Sequence, residues 1–164
     1  MSVSRRRLRA LLLVAAGAAV GCGAFTAGMK VQNPARTAEK IEAKQTFSIP
    51  PDKDNHRYEA TLANWTATAV SFSVRVVNMG ECGQMASFTL TLADDQGREY
   101  PWRQTAAPVE KIIDANRRDE VHDTTATGEF AAPIGPQTKF VVLHIRPVPG
   151  KSCRGMDFRW DFEG

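Results

Sequence analysis

At 164 residues the chain has room for one domain once an N-terminal segment is set aside, and its length argues against a second core. Lys and Arg total 21 against 18 Asp and Glu, a net charge of +3, but Arg5, Arg6, Arg7 and Arg9 precede the domain, and removing these four takes +3 to −1. The pI of 8.9 therefore reports the N-terminus, and a near-neutral domain without a basic stripe excludes nucleic acid as a partner.

Residues 1–9 carry positive charge, and residues 10–29 form an uncharged run of 20 residues that ends at Lys30. Cations followed by an apolar stretch build a targeting segment, because the charge stays on the cytoplasmic side while the apolar part enters the bilayer. Residues 1–30 are therefore expected to be a signal peptide or membrane anchor. Ala19-Val20-Gly21-Cys22 resembles a bacterial lipobox, with Ala19 where leucine is usual, and makes Cys22 the expected site of lipidation. An uncleaved helix is the second expectation, since about 20 apolar residues just span the ~30 Å hydrocarbon core. Gly17, Gly21, Gly23 and Gly28 weaken such a helix. Cleavage and release come third. Ser4-Arg5-Arg6-Arg7-Leu8 also looks like a twin-arginine export signal, for which plain positive charge is the alternative.

Residues 31–54, with Pro34, Pro50 and Pro51 among charges, read as a polar tether, in which 37–45 could turn as a short helix and 46–49 could be a first edge strand. Residues 55–164 are the expected β-sandwich domain. From Arg57 onward β-branched and aromatic residues alternate with polar ones at period two, the pattern of half-buried strands. Over 66–78, Val70, Phe72, Val74 and Val76 share one face. Residues 85–93 repeat the scheme with Ala86, Phe88, Leu90 and Leu92 inward and Ser87 outward. Asp94-Asp95-Gln96-Gly97 supplies turn chemistry, and 98–102 returns as the other arm of a hairpin. The charged stretch 103–123 either holds a short helix or connects two sheets. Strands follow at 124–131, 140–147 and 156–162, the last with Phe158, Trp160 and Phe162 on one face. Closely spaced strands without a long helix predict an all-β, antiparallel sandwich.

The succession Val74-Arg75-Val76-Val77-Asn78-Met79-Gly80, Phe88 to Leu92, Asp95-Gln96-Gly97-Arg98-Glu99-Tyr100 and Thr127-Gly128-Glu129-Phe130-Ala131-Ala132-Pro133 resembles the immunoglobulin-like extracytoplasmic domain of uncharacterised bacterial lipoproteins. The similarity runs over residues 57–162, and Asn116-Arg117-Arg118-Asp119 replaces the usual Pro-Gly turn before the later strand. The resemblance implies an adhesion or assembly module of the bacterial cell envelope, extracytoplasmic and membrane-anchored, and no enzyme.

Of the three cysteines, Cys82 and Cys153 lie in the domain, and export to an oxidising compartment favours a disulfide between them over two thiols. It would join the loop after the 66–78 strand to the start of the last strand. His56, His122 and His144 are scattered without ligand spacing, so no metal is expected. Asp94 and Asp95 fit a turn better than calcium. No Gly-x-Ser-x-Gly elbow is present, no catalytic residue is assigned and no cofactor is expected. Among Trp65, Trp102 and Trp160, the last suits the core, while Trp102 beside Tyr100 is the candidate for ligand contact through aromatic stacking. The expected partners are the membrane, through the N-terminal segment, and another envelope protein or a polymer. An enzyme with an unfamiliar site, or a single-span subunit of an envelope complex, are the competing readings. A cluster of His122 with Glu120 and Asp123 in a deep cleft would favour the enzyme.

Overall fold

The computed structural model describes residues 25–33, 43–48, 57–66, 68–115 and 120–163; the arginine cluster and Cys22 lie outside them, as do His56 and the 37–42 part of the expected short helix. Among the described residues the strands are β1 (Phe25–Gln32), β2 (Ala43–Ser48), β3 (Arg57–Trp65), β4 (Val70–Met79), β5 (Phe88–Asp94), β6 (Glu99–Pro101), β7 (Arg103–Gln104), β8 (Val109–Asp114), β9 (Val121–Phe130), β10 (Phe140–Pro147) and β11 (Met156–Glu163). They form two sheets. One runs β1-β11-β10-β5-β6; the other runs β2-β3-β4-β9, with β7 and β8 both paired to the far side of β9. Neighbours are antiparallel except β1, which lies parallel to β11 with Phe25 opposite Met156.

The period-two pattern decides which face of each strand is buried. Val70, Phe72, Val74 and Val76 on β4 meet Phe158, Trp160, Leu143 and Leu92 from the other sheet in one core. Its centre is aromatic: Phe72 lies 5.1 Å from Trp160 and 5.6 Å from Phe130, ring centre to ring centre. Full burial of a side chain of this size stabilises by about 3 kcal/mol. The chain is an all-β sandwich, as its alternation predicts.

Three local expectations are corrected. Residues 85–87 do not extend the next strand; Gly80–Gly83 and Met85–Ser87 are 3-10 turns, so Ala86 is exposed while Ser87 is buried and donates its hydroxyl to the Glu81 carbonyl at 2.6 Å. The described residues of 103–123, for which a short helix or a connection between sheets was expected, form β7, β8 and the start of β9, all in one sheet. Strands also reach back across the boundary expected at residue 55. β1 turns Ala27, Met29 and Val31 against the core, and β2 inserts Gln45, whose amide donates across the sandwich to the Arg159 carbonyl at 3.4 Å. Gln45 is thus strand, where a helix was expected.

The register sets the two ends of the molecule. Met79 pairs with Val121, Phe25 with Met156, and Phe88 with Pro147, so the start of β1, the loop between β10 and β11, the two 3-10 turns and the C-terminal tip of β8 gather at one end. The turn between β5 and β6 and residues 131–139 lie at the other.

Candidate functional site

The first end is tied by the expected disulfide. Cys82, in the 3-10 turn after β4, bonds Cys153, just before β11, across a Cα separation of 5.5 Å and 71 residues of sequence. Beside it Lys151 pairs with Glu81, so both partners of the bridge are also held by charge.

His122 begins β9 at the same end, only 6% exposed. Its Nδ1 stands 2.6 Å from Oε1 of Glu110 on β8, and its Nε2 stands 3.7 Å from Glu120. Gly83 packs so closely against the base of this side chain that a Cβ there would fall 2.6 Å from the His122 Cβ. The anticipated neighbour Asp123 points to the opposite face of the sheet, where Arg75 grips it with two bonds of 2.7 Å and also reaches Glu59. Those bonds from Arg75 hold the Asp123 carboxyl below its usual range against the opposing effect of burial. The result is a clasp between β8 and β9. Both ring nitrogens of His122 face carboxylates.

His144 lies on the outer face of the other sheet, its Nδ1 2.7 Å from Asp157, which Arg146 also pairs at 2.6 Å. Burial pushes the Asp157 carboxyl up, but the hydrogen bonds from His144 and Arg146 and the Arg146 charge outweigh it and leave it low. Among the described residues no three His, Cys, Asp or Glu side chains converge as a metal would require.

Tyr100 and Trp102 mark the place where the chain leaves one sheet for the other, between β6 and β7. Trp102 fills that crossing: its ring sits 5.2 Å from Phe130 and lies over Gly128, where a Cβ would come within 2.4 Å of it. Gly128 is thus demanded by close approach. Tyr100 donates its hydroxyl to Asp94 at 3.0 Å. Asp94 also receives the Arg98 guanidinium at 2.7 Å and the backbone N–H groups of Gln96 and Arg98, each at 3.0 Å. Burial raises the Asp94 carboxyl, and these donors together bring it below its usual value. Its oxygens are committed to donors, the reverse of what calcium needs, and Gly97 completes the turn at φ 75°. Tyr100 and Trp102, the expected ligand contacts, are thus both held in place from within the domain and both remain half-buried.

The feature that reading for chemistry passed over is β8. Val109, Ile112 and Ile113 are 60%, 52% and 51% exposed, large apolar side chains standing in solvent on an edge strand. Val-Glu-Lys-Ile-Ile-Asp breaks the period of two, and that break was the available signal. Compared with known protein families, curated proteins and solved structures, the chain matches none.

Proposed function

We propose that this chain is an exported β-sandwich module of the bacterial cell envelope, held at the membrane by a lipid on Cys22 and acting by binding or bracing a neighbour, with no catalysis of its own. The observation that carries the reading is the Cys82–Cys153 disulfide, which belongs to an oxidising compartment and leaves Cys22 as the unpaired third cysteine. The two packed sheets, antiparallel except at β1, fit kinship with the immunoglobulin-like domains of bacterial lipoproteins, and with it a partner that is another envelope protein or a polymer.

The position of β1 favours lipid over a spanning helix. With Phe25–Gln32 in the sheet, the uncharged run left for a helix is residues 10–24, which is 15 residues. At 1.5 Å per residue that is about 22 Å, short of the ~30 Å hydrocarbon core. The enzyme reading lacks a comparable observation, since His122 is buried and turned away from Asp123, the other group expected beside it.

Intact-mass measurement of membrane-extracted protein tests the proposal. The expected species begins at Cys22 and carries a diacylglyceryl group, and Cys22→Ser abolishes it. A full-length mass unaffected by that substitution sinks the lipid anchor.

A further inference from the structure

We infer that the disulfide end of the sandwich lies against the bilayer that holds Cys22, with Ile112 and Ile113 of β8 entering the lipid interface as a second point of attachment. The inference rests on the Cys22 anchor proposed above and adds to it an orientation and a contact surface.

The anchor is close. Phe25 starts β1 three residues after Cys22, and three residues extend no further than about 11 Å. A lipid on Cys22 therefore sits next to the end of the sandwich from which β1 starts. That is the end carrying the disulfide and the C-terminal tip of β8.

One attachment at a corner leaves a rigid body free to swing. β1 is the outer strand of one sheet and β8 the outer strand of the other, at the opposite flank, about four strand spacings or ~19 Å away. Ile112 pairs with His122, one residue from the start of β9, and Asp114 pairs with Val121. Ile113 stands at the irregularity between them. Both isoleucines therefore lie within about 3 Å, along the strand, of the end on which the anchor emerges. They are presented on a fixed support, because β8 is laddered to β9 and clasped through Glu110 and His122.

The chemistry at this end suits lipid. Apolar side chains flanked by cations are what an interfacial contact with anionic headgroups uses. Lys111 lies between Glu110 and Ile112 on β8 and Arg57 is exposed at the same end, where Lys151 is paired with Glu81 and the carboxylates of Glu110 and Glu120 face His122. A second copy of the chain would have to extend the ladder across the free edge of β8. The register break between Ile112 and Asp114 interrupts the row of groups that such a ladder needs. The bilayer, which requires no register, is the occupant we favour, and it leaves the β5–β6 turn and residues 131–139 pointing away from the membrane toward a partner.

The test uses the full chain, expressed, lipidated and reconstituted into phosphatidylethanolamine and phosphatidylglycerol vesicles with brominated acyl chains. With Cys22 acylated and Cys82 bonded to Cys153, a cysteine placed by Ile112→Cys, Ile113→Cys or Gln96→Cys is the free thiol and takes an environment-sensitive fluorophore. Unfolding midpoints equal to that of the parent certify each variant. The expected result is a blue shift and loss of most of the emission to bromine quenching at positions 112 and 113, with neither at 96. Lipid mass on Cys22 together with unquenched probes at 112 and 113 overturns the orientation and leaves the anchor standing. Equal quenching at 96 overturns it as well. A blue shift at 112 and 113 that appears without vesicles and grows with protein concentration assigns β8 to a second copy and also overturns it. Absence of the lipid mass removes the anchor and this inference together.

Discussion

Strands β1 and β8 bound the sandwich at opposite flanks and have similarly mixed compositions, yet only one of them buries its apolar residues. β1 alternates, so Ala27, Met29 and Val31 turn to the core while Thr26, Lys30 and Gln32 meet water. β8 reads Val-Glu-Lys-Ile-Ile-Asp, and its consecutive isoleucines break the alternation at the register irregularity and both stand exposed. Its inner side is spent on polar work, with Glu110 reaching His122. The contrast teaches that β1 is held by the hydrophobic effect and β8 by backbone bonds and one contact from Glu110 to the buried His122. Exposed apolar area on β8 is surplus to the fold.

The largest effect should come from the β1 side, where the disulfide pins the start of β11, to which β1 is paired. Replacing Cys82 by Ser opens a closure of 71 residues and should cost about 4 kcal/mol in urea unfolding, with hydrogen exchange rising first over 25–32. If the loss is the same in parent protein treated with reductant, the bridge and no packing change is responsible. An unchanged midpoint would mean that β1 and β11 stand without the bridge.

Glycine substitutions separate the two flanks more finely. At Gly83 a Cβ would meet the Asn78 carbonyl oxygen at 2.5 Å and the His122 Cβ at 2.6 Å, so Gly83→Ala should cost about 2 kcal/mol and loosen the β8 clasp. At Gly28 on β1 the nearest atom would be 3.7 Å away, an ordinary contact, and Gly28→Ala should change stability by no more than about 0.5 kcal/mol. Equal effects at both sites would erase the distinction. Calorimetry of the two variants decides it.

The smallest effect is in acid. Asp123, directly opposite Lys111 of β8 and held by Arg75, has its carboxyl lowered in the folded state. A carboxyl lower in the folded than in the unfolded chain contributes stability that is complete above the unfolded value, about pH 4, and is lost as pH falls through the lower folded value. Asp94 and Asp157 act in the same sense. The urea midpoint should hold from pH 7 to about 5 and fall below about 4. Asp123→Asn should flatten part of that fall, and in acid amide exchange should quicken at 109–114 before it does at 25–32. A midpoint insensitive to pH in that window would contradict the Arg75 to Asp123 pairing.

Where polar and apolar residues alternated without interruption, the fold was legible residue by residue: Val70 to Val76, Val141 to Ile145 and Phe158 to Phe162 face the core as their period demands. The β5–β6 turn was legible from Asp94 and Gly97 because its chemistry is local. Two kinds of feature were not. Met29 and Val31 lie in or beside a continuous apolar run, which masks the alternation of a strand inside it, and β1 finds its partner some 130 residues downstream in β11. Residues 85–87 kept the alternating pattern but coiled into a turn, because Ser87 reaches Glu81 and the bridge at Cys82 draws the chain aside. Of the site residues, the cysteine pair was legible from count and compartment. The packing of Trp102 on Phe130 and Gly128 was not legible, since it depends on the crossing between the sheets that this side chain fills.

By itself the sequence determined the fold class, the facing of the central strands, the turn at Asp94 and the pairing of the two domain cysteines, all of which follow from local period or simple counting. Tertiary structure alone decided that β1 closes one flank, that His122 meets Glu110 and not Asp123, and that Ile112 and Ile113 emerge at the end from which β1 starts. Those facts depend on which distant segments share a sheet and in what register. Register is set by the summed burial of whole strands, which no window of the sequence contains.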